Sequence, residues 1–356
     1  MLKTAPAVFA VEDTYQILVS VTAPSLFWVE VGDETYYDAS NGIMRSLSDL
    51  HRVTVPMAVL DKAGAYTVCV RPLIERKPYF TETEPVQTFT YPFYPVPQKK
   101  ARAFHISDAH NRIEEPVKAA NTFGDIDFLI FNGDVLDHSG DPSKFDNIYI
   151  LCDRLLGGSK PAVFSRGNHD LRGNYAERFA EYTPAFNGNT YYTFRLGGIW
   201  GMLLDCGEDK PDAHEEYGFT VCCHQFRRQQ TAFIKKVLES KSFEAEGIHT
   251  RLIISHSPFS WVNKPPFDID VDVFREWCAL VKDIHPTAML CGHTHQTTVW
   301  PVGGEKDHLG QPCPIVIGSR PQKGYFAGAG YTFDNGKVTV TFTDSEGVVL
   351  GEEDVV

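Results

Sequence analysis

Short, nearly continuous apolar runs, each ending in a cluster of polar residues, recur through the second part of this chain. Residues 101–106, 128–132, 162–165, 251–255 and 288–291 follow this pattern. Such runs suit strands buried on both faces. Between them, residues 111–123, 143–156, 224–238 and 271–284 space their apolar positions as amphipathic helices do. Alternation of this kind predicts an α/β unit with buried sheets. Near the end, residues 331–333 and 337–343 flank Asp334-Asn335-Gly336, and the Asn-Gly pair predicts a hairpin.

The first part is patterned differently. Residues 15–22, 26–31 and 35–37 are rich in β-branched and aromatic positions, with Gly32-Asp33 as a turn, and 51–60 and 64–72 continue the series. Several short strands with regular turns predict a small all-β sandwich of immunoglobulin or fibronectin type III kind over residues 1–95. Pro92, Pro95 and Pro97 make 88–100 a stiff linker, which leaves 96–356 as the α/β domain.

Composition narrows the possibilities. Of 356 residues, 43% are hydrophobic and 22% charged, enough apolar material for a core without a disulfide framework. A formal net charge of −13 argues against sequence-independent binding to nucleic acid. It is compatible with a small phosphate ester, because bound cations reverse the local charge. The eight cysteines form no CxxC pair and several lie in apolar runs. They read as reduced thiols, which favours a cytoplasmic protein, or a secreted one if a leader has been removed. No apolar stretch approaches the length of a membrane span.

The polar clusters carry the chemistry. The strand-end motifs are Asp108-Ala109-His110, Gly133-Asp134-Val135-Leu136-Asp137, Gly167-Asn168-His169-Asp170, His256, and Gly292-His293-Thr294-His295. Alone, each is a weak signal: Gly-Asp after a strand is usually a turn, and a lone histidine is more often a core residue. Together, at strand ends of an α/β sheet, they can converge on one point. Imidazoles mixed with carboxylates suit a pair of Mn, Fe or Zn ions better than an all-oxygen calcium or magnesium cage. On an extended segment Asp108 and His110 would share a face. His293 and His295 would do the same if extended; a turn at Gly292 would send them to different metals.

In type and order these motifs resemble the signature of the calcineurin-like metallophosphoesterases, over residues 101–342. The first domain resembles the fibronectin-like domain of purple acid phosphatases and their relatives. The resemblance implies a two-sheet sandwich flanked by helices and two metal ions of divalent or trivalent charge. Asp108, His110 and His295 would hold one metal, and Asn168, His256 and His293 the other, with Asp134 bridging. His169 would be the general acid, oriented by Asp137. The implied activity is phosphomonoester hydrolysis by a metal-bridging hydroxide. The alternatives are a phosphodiesterase for cyclic nucleotides or glycerophosphodiesters, and an inactive metal-binding scaffold.

Two departures from relatives stand out. Asp137 occupies the position of the tyrosine ligand of purple acid phosphatases, and His110, which they lack, is present. His138 stands where protein phosphatases place a phosphate-gripping arginine, which argues against a phosphoprotein substrate. Arg166 reads as a surface ion pair rather than a phosphate contact, and His105 as core. Asp205 reads as a turn residue or a support for the ligands. The segments 207–217 and 257–270 are candidates for the pocket wall.

Overall fold

The apolar runs are the central strands of two packed sheets in the computed structural model, which describes residues 1–38 and 48–356. In one sheet Lys100–Ile106, Phe128–Asn132 and Pro161–Ser165 lie parallel and adjacent. In the other, Ile199–Leu204, Thr250–Ser255, Ala288–Cys291 and Ile315–Gln322 do the same. The strand Ile315–Gln322 belongs to both: its first residues pair with Ala288–Cys291, and Arg320 to Gln322 pair antiparallel with Tyr325–Asp334. Hydrogen bonding is therefore continuous through 15 strands.

Side chains alternate between layers with the strand period of two. Phe128 and Ile130 point into the core between the sheets, where they join Leu252 and Ile254. Leu129 and Phe131 point outward to a second core with Val117, Ile148 and Leu151. From the other sheet, Ile253 and Met289 pack against Ile234, Trp277 and Cys278. The helices Glu114–Phe123 and Asp146–Leu156 thus cover one sheet, and Cys223–Ser240 and Val271–Lys282 cover the other. The expected helices are all present with shifted ends. Residues 111–113 stay outside the first because Asn111 is left-handed, with φ +64°. The second begins after a short 3₁₀ turn whose Asp141 accepts from the Ser143 amide at 3.0 Å. The Asn335-Gly336 hairpin also forms, both residues having positive φ.

The N-terminal part departs from expectation. Ala7–Val11, fully buried along its length, pairs parallel with Pro161–Ser165. Thr14–Ser20 and Leu50–Pro56 follow in order. Residue 95 is therefore no break in hydrogen bonding, because strands before it extend the central sheet. Ser25–Val31, Glu34–Tyr37, Ala65–Glu75 and Gln87–Pro92 belong to a separate five-stranded antiparallel sheet packed on the same inter-sheet core. Two local readings are corrected. The strand expected over 51–60 stops at Pro56, and Met57–Ala63 is helical, closed by left-handed Gly64. The expected linker begins as an edge strand, Gln87–Pro92, with its proline in the last position, where no inner partner needs an amide.

Among the described residues, no helix is long and apolar enough to cross a membrane. All eight cysteines are free, and only Cys222 is exposed.

Candidate metal centre

Every motif-bearing strand delivers its polar cluster to the same end of the sandwich, and the backbone bends sharply there. Asp108, His110, Asp134, His293 and His295 all have φ between +46° and +65°. That conformation is uncommon for residues other than glycine and costs about 1–2 kcal/mol each. The loops hold one another in it. The amides of Asp108, His110 and Asn111 donate to the carbonyls of Gly133, Asp134 and Val135, and the Gly292 amide donates to the His256 carbonyl. Asp108 and His110 thus meet through a left-handed turn rather than on an extended face. The segment at Gly292 also turns, and its two histidines separate.

Three sets of ligand atoms gather, each within 4.8 Å: Asp108 with His110 and His295, Asp134 with His256 and His293, and His110 with Asp137 and His169. Asn168 joins the second set, its Oδ1 lying 3.1 Å from His293 Nδ1. Asp134 Oδ2 lies 3.1 Å from His256 Nε2 and 4.0 Å from His169 Nε2. His256 Nε2 is also 3.7 Å from Asp108 Oδ1. Gly167 and Gly292 make this closeness possible. A Cβ on Gly167 would lie 2.2 Å from Asp134 Oδ1, and one on Gly292 would lie 1.8 Å from Ser107 Oγ.

Buried hydrogen bonds aim these groups. The His256 Nδ1–H donates to the Asn132 carbonyl at 2.7 Å, which aims the buried Nε2 at the carboxylates of Asp134 and Asp108. His110 Nδ1 is also buried and makes no hydrogen bond. Asp108 Oδ2 accepts from the hydroxyls of Ser319 (2.6 Å) and Ser107 (2.7 Å). Burial opposes charge on Asp108, but His256 and His295 overcome it and hold the carboxyl below its usual range. Burial likewise opposes charge on His256, yet Asp134 and Asp108 raise it to about 10. His293 is pushed down to about 4, first by burial and then by the charge on His256. The His256 ring thus faces two buried carboxylates, Asp134 at 3.1 Å and Asp108 at 3.7 Å. A cation pair fits this donor set. It would take the place of protons between the buried carboxylates and the imidazoles that face them, as metal binding to histidine generally does.

Asp137 differs from expectation. His169 Nδ1–H donates to the main-chain carbonyl of Asp137 at 2.8 Å, not to its carboxylate. The carboxylate turns instead toward His110 Nδ1, at 3.6 Å. The reason is local: His169 heads the short 3₁₀ turn His169–Leu171, and its amide is fixed on Asp134 Oδ1 at 2.9 Å, which sets the ring against the carbonyl.

The other candidates resolve plainly. Arg166 pairs with buried Asp205 at 2.7 Å, and Asp205 also accepts from Thr190 Oγ1 and the Gly207 amide. His105 is core, beside Tyr331. The segments 207–217 and 257–270 both line a cleft that reaches His293. Sequence reading missed Arg172. Its guanidinium is clamped on buried Glu208 (2.9 Å) and Asp209 (3.2 Å), while Nη1 lies 3.5 Å from His169 Nε2. Asp209 in turn stands 3.9 Å from His293 Nε2. Ser107 and Ser319 were missed as well; the signal for Ser319 was a hydroxyl inside an apolar strand.

Two sheets flanked by helices, with Asp, Asn and His gathered at the strand ends, define a metal-dependent phosphoesterase architecture. The chain belongs to the calcineurin-like phosphoesterase family, whose model matches residues 101–297. Among solved structures it is similar to the purple acid phosphatase PPD1 from yellow lupin (Lupinus luteus) seeds. That match has a TM-score of 0.65 at 14% identity and covers 99% of this chain and 74% of that one. It is a likeness of fold, and it spans the N-terminal strands as well as the family domain. A dimetal phosphatase from Danio rerio matches with a TM-score of 0.47 at 12% identity, over 74% of this chain and 99% of that one. GAP50, the anchor in the inner membrane complex of Plasmodium, matches with a TM-score of 0.46 at 13% identity, over 72% and 89%. No curated protein matches the chain.

Proposed function

We propose that this protein hydrolyses phosphate monoesters with a pair of transition-metal ions, Mn, Fe or Zn. The supporting observation is the convergence of Asp108, His110 and His295 beside Asp134, His256 and His293, each set within 4.8 Å. The first set would hold one ion. Asn168, His256 and His293 would hold the other, and Asp134 would serve both. Ions bound there would neutralise phosphoryl oxygens and acidify a water for attack on phosphorus.

The rest of the work falls to the chain. Asp137 fixes the His169 ring through its carbonyl, and the ring, once protonated, would give its Nε2 proton to the departing alcohol oxygen. Arg172, held on Glu208, can donate to that nitrogen at 3.5 Å in the neutral ring left after the proton has gone. Glu208 and Asp209 shape the rim of the cleft by fixing Arg172 rather than by meeting substrate.

The test is metal content by elemental analysis, with activity on a monoester and a diester before chelation, after it, and after add-back of Mn, Fe or Zn. The expected result is about two ions per chain and a monoester activity lost on chelation and restored by add-back. His169→Ala should keep both ions and lose about a hundredfold or more on esters with poor leaving groups. A protein with both ions and no phosphatase activity would refute the reading.

A further inference from the structure

The two ring nitrogens of His293 face different groups. Nδ1 lies 3.1 Å from Asn168 Oδ1, so it is the nitrogen on the side of an ion held together with Asn168. Nε2 is turned the other way, and Asp209 Oδ2 stands 3.9 Å from it. A neutral imidazole that ligates through one nitrogen carries its hydrogen on the other. That hydrogen needs an acceptor. A carboxylate in this place fixes the orientation of the ring and makes it a more basic ligand.

The surroundings of Asp209 aim one oxygen at this task. Its Oδ1 accepts from Tyr217 Oη at 2.9 Å, Lys210 Nζ at 3.1 Å and Arg172 Nη2 at 3.2 Å. Among the described residues, no hydrogen bond reaches Oδ2. Three donors thus hold the carboxylate by one oxygen and leave the other toward His293. The Asp209 side chain is 11% exposed, so little water competes for that free oxygen. The separation of 3.9 Å is that of an ion pair, and bringing Nε2 about 1 Å nearer makes it a hydrogen bond. If Asp209 served only to anchor Arg172 and Lys210 at the rim, nothing would require Oδ2 to face the ring.

We propose that Asp209 is a positioning residue for the second ion. Its Oδ2 accepts from His293 Nε2–H and keeps Nδ1 directed at the ion and Asn168. The proposal rests on the two-ion reading of the centre, and it extends that reading to a residue outside the ligand set.

The experiment loads the protein with zinc and measures the affinity of both sites by chelator competition. Asp209→Asn keeps an oxygen for Tyr217, Lys210 and Arg172, and puts an NH2 group where Oδ2 was. It should weaken one of the two zinc ions about ten- to a hundredfold and leave the other unchanged. Tyr217→Phe removes a donor to Oδ1 but leaves Oδ2 in place, so both ions should bind as in the unaltered protein. Nitrogen-15 spectra of the zinc-loaded, unaltered protein give a test that needs no variant. The His293 ring should be bound through Nδ1 and should carry a slowly exchanging hydrogen on Nε2. Coordination through Nε2 overturns the proposal. So does full zinc affinity in Asp209→Asn, or an equal loss in Tyr217→Phe, which would trace the effect to the rim rather than to the free oxygen. Failure of the unaltered protein to bind zinc overturns the reading of the centre itself, a separate and recognisable result.

Discussion

Gly167→Ala isolates the fit around Asp134. Gly167 is not among the positive-φ glycines, so alanine suits its backbone and only space is at issue. The added Cβ would lie 2.2 Å from Asp134 Oδ1, 2.6 Å from Asp134 N and 2.9 Å from Asp134 Cγ. The main-chain nitrogen cannot yield, because its loop is tied to others by the hydrogen bonds at Asp108 and His110. The carboxylate must therefore turn, leaving the His169 amide that it accepts from at 2.9 Å. Overpacking costs about 1–3 kcal/mol, and a hydrogen bond to a charged group contributes about 1.5–3 kcal/mol. A combined loss of about 3 kcal/mol lowers the folded-to-unfolded ratio roughly a hundredfold. Urea denaturation of the metal-free protein measures it, with elemental analysis of the reloaded protein alongside. Gly351→Ala is the control, since its Cβ would meet nothing within 4 Å. If Gly167→Ala unfolds at the unaltered midpoint and binds its full complement of metal, the reasoning about Asp134 is wrong.

Other predictions concern single contacts. Asp137→Ala should leave the dependence of rate on leaving-group pKa intact, because a carbonyl orients His169. It should weaken metal binding about tenfold through His110, as read by chelator competition; loss of the leaving-group dependence would restore the carboxylate to the role expected from the sequence. Arg172→Ala strands Glu208, whose side chain is 1% exposed, and should destabilise by about 3–5 kcal/mol in thermal or urea unfolding. Replacing both partners with apolar residues should recover much of that loss, and no recovery would count against the stranded charge as its cause. Asp307 is partly buried, which raises its pKa, but the amides of Gln311, Gly303 and Gly310 outweigh this and lower it. Its contribution is then present above the ordinary carboxylate pKa and lost as pH falls through the lowered value. Asp307→Ala should be less stable than the parent at pH 7, and the gap should shrink as pH falls below the ordinary carboxylate range, so a gap that does not shrink would refute the assignment.

The parts legible in the sequence are those where one signal sufficed. Continuous apolar runs gave the central strands, since burial on both faces permits nothing else, and strand-end Asp, Asn and His gave the candidate ligands. The N-terminal strand Ala7–Val11 was illegible because its partner is Pro161–Ser165, and no local pattern reveals a pairing so distant. The helix Met57–Ala63 was hidden behind a run that begins as a strand and turns helical only at Pro56. The backbone carbonyl that holds His169 has no side-chain signature, so the acidic residue that owns it was credited with the wrong atom. Arg172 resembled any surface arginine until its three-residue distance from His169 was seen as one short turn.

The seam between Ala7–Val11 and Pro161–Ser165 bears on how the chain comes to be built. Ala7–Val11 is wholly apolar, and it leaves the ribosome about 150 residues before its parallel neighbour Pro161–Ser165 is made. In the interval the hairpin mate Thr14–Ser20 can cover one edge, while the other stays open to wrong partners. A protein cut before Lys100 would carry the opposite defect, presenting the bare flank of Pro161–Ser165 to solvent and to other copies of itself.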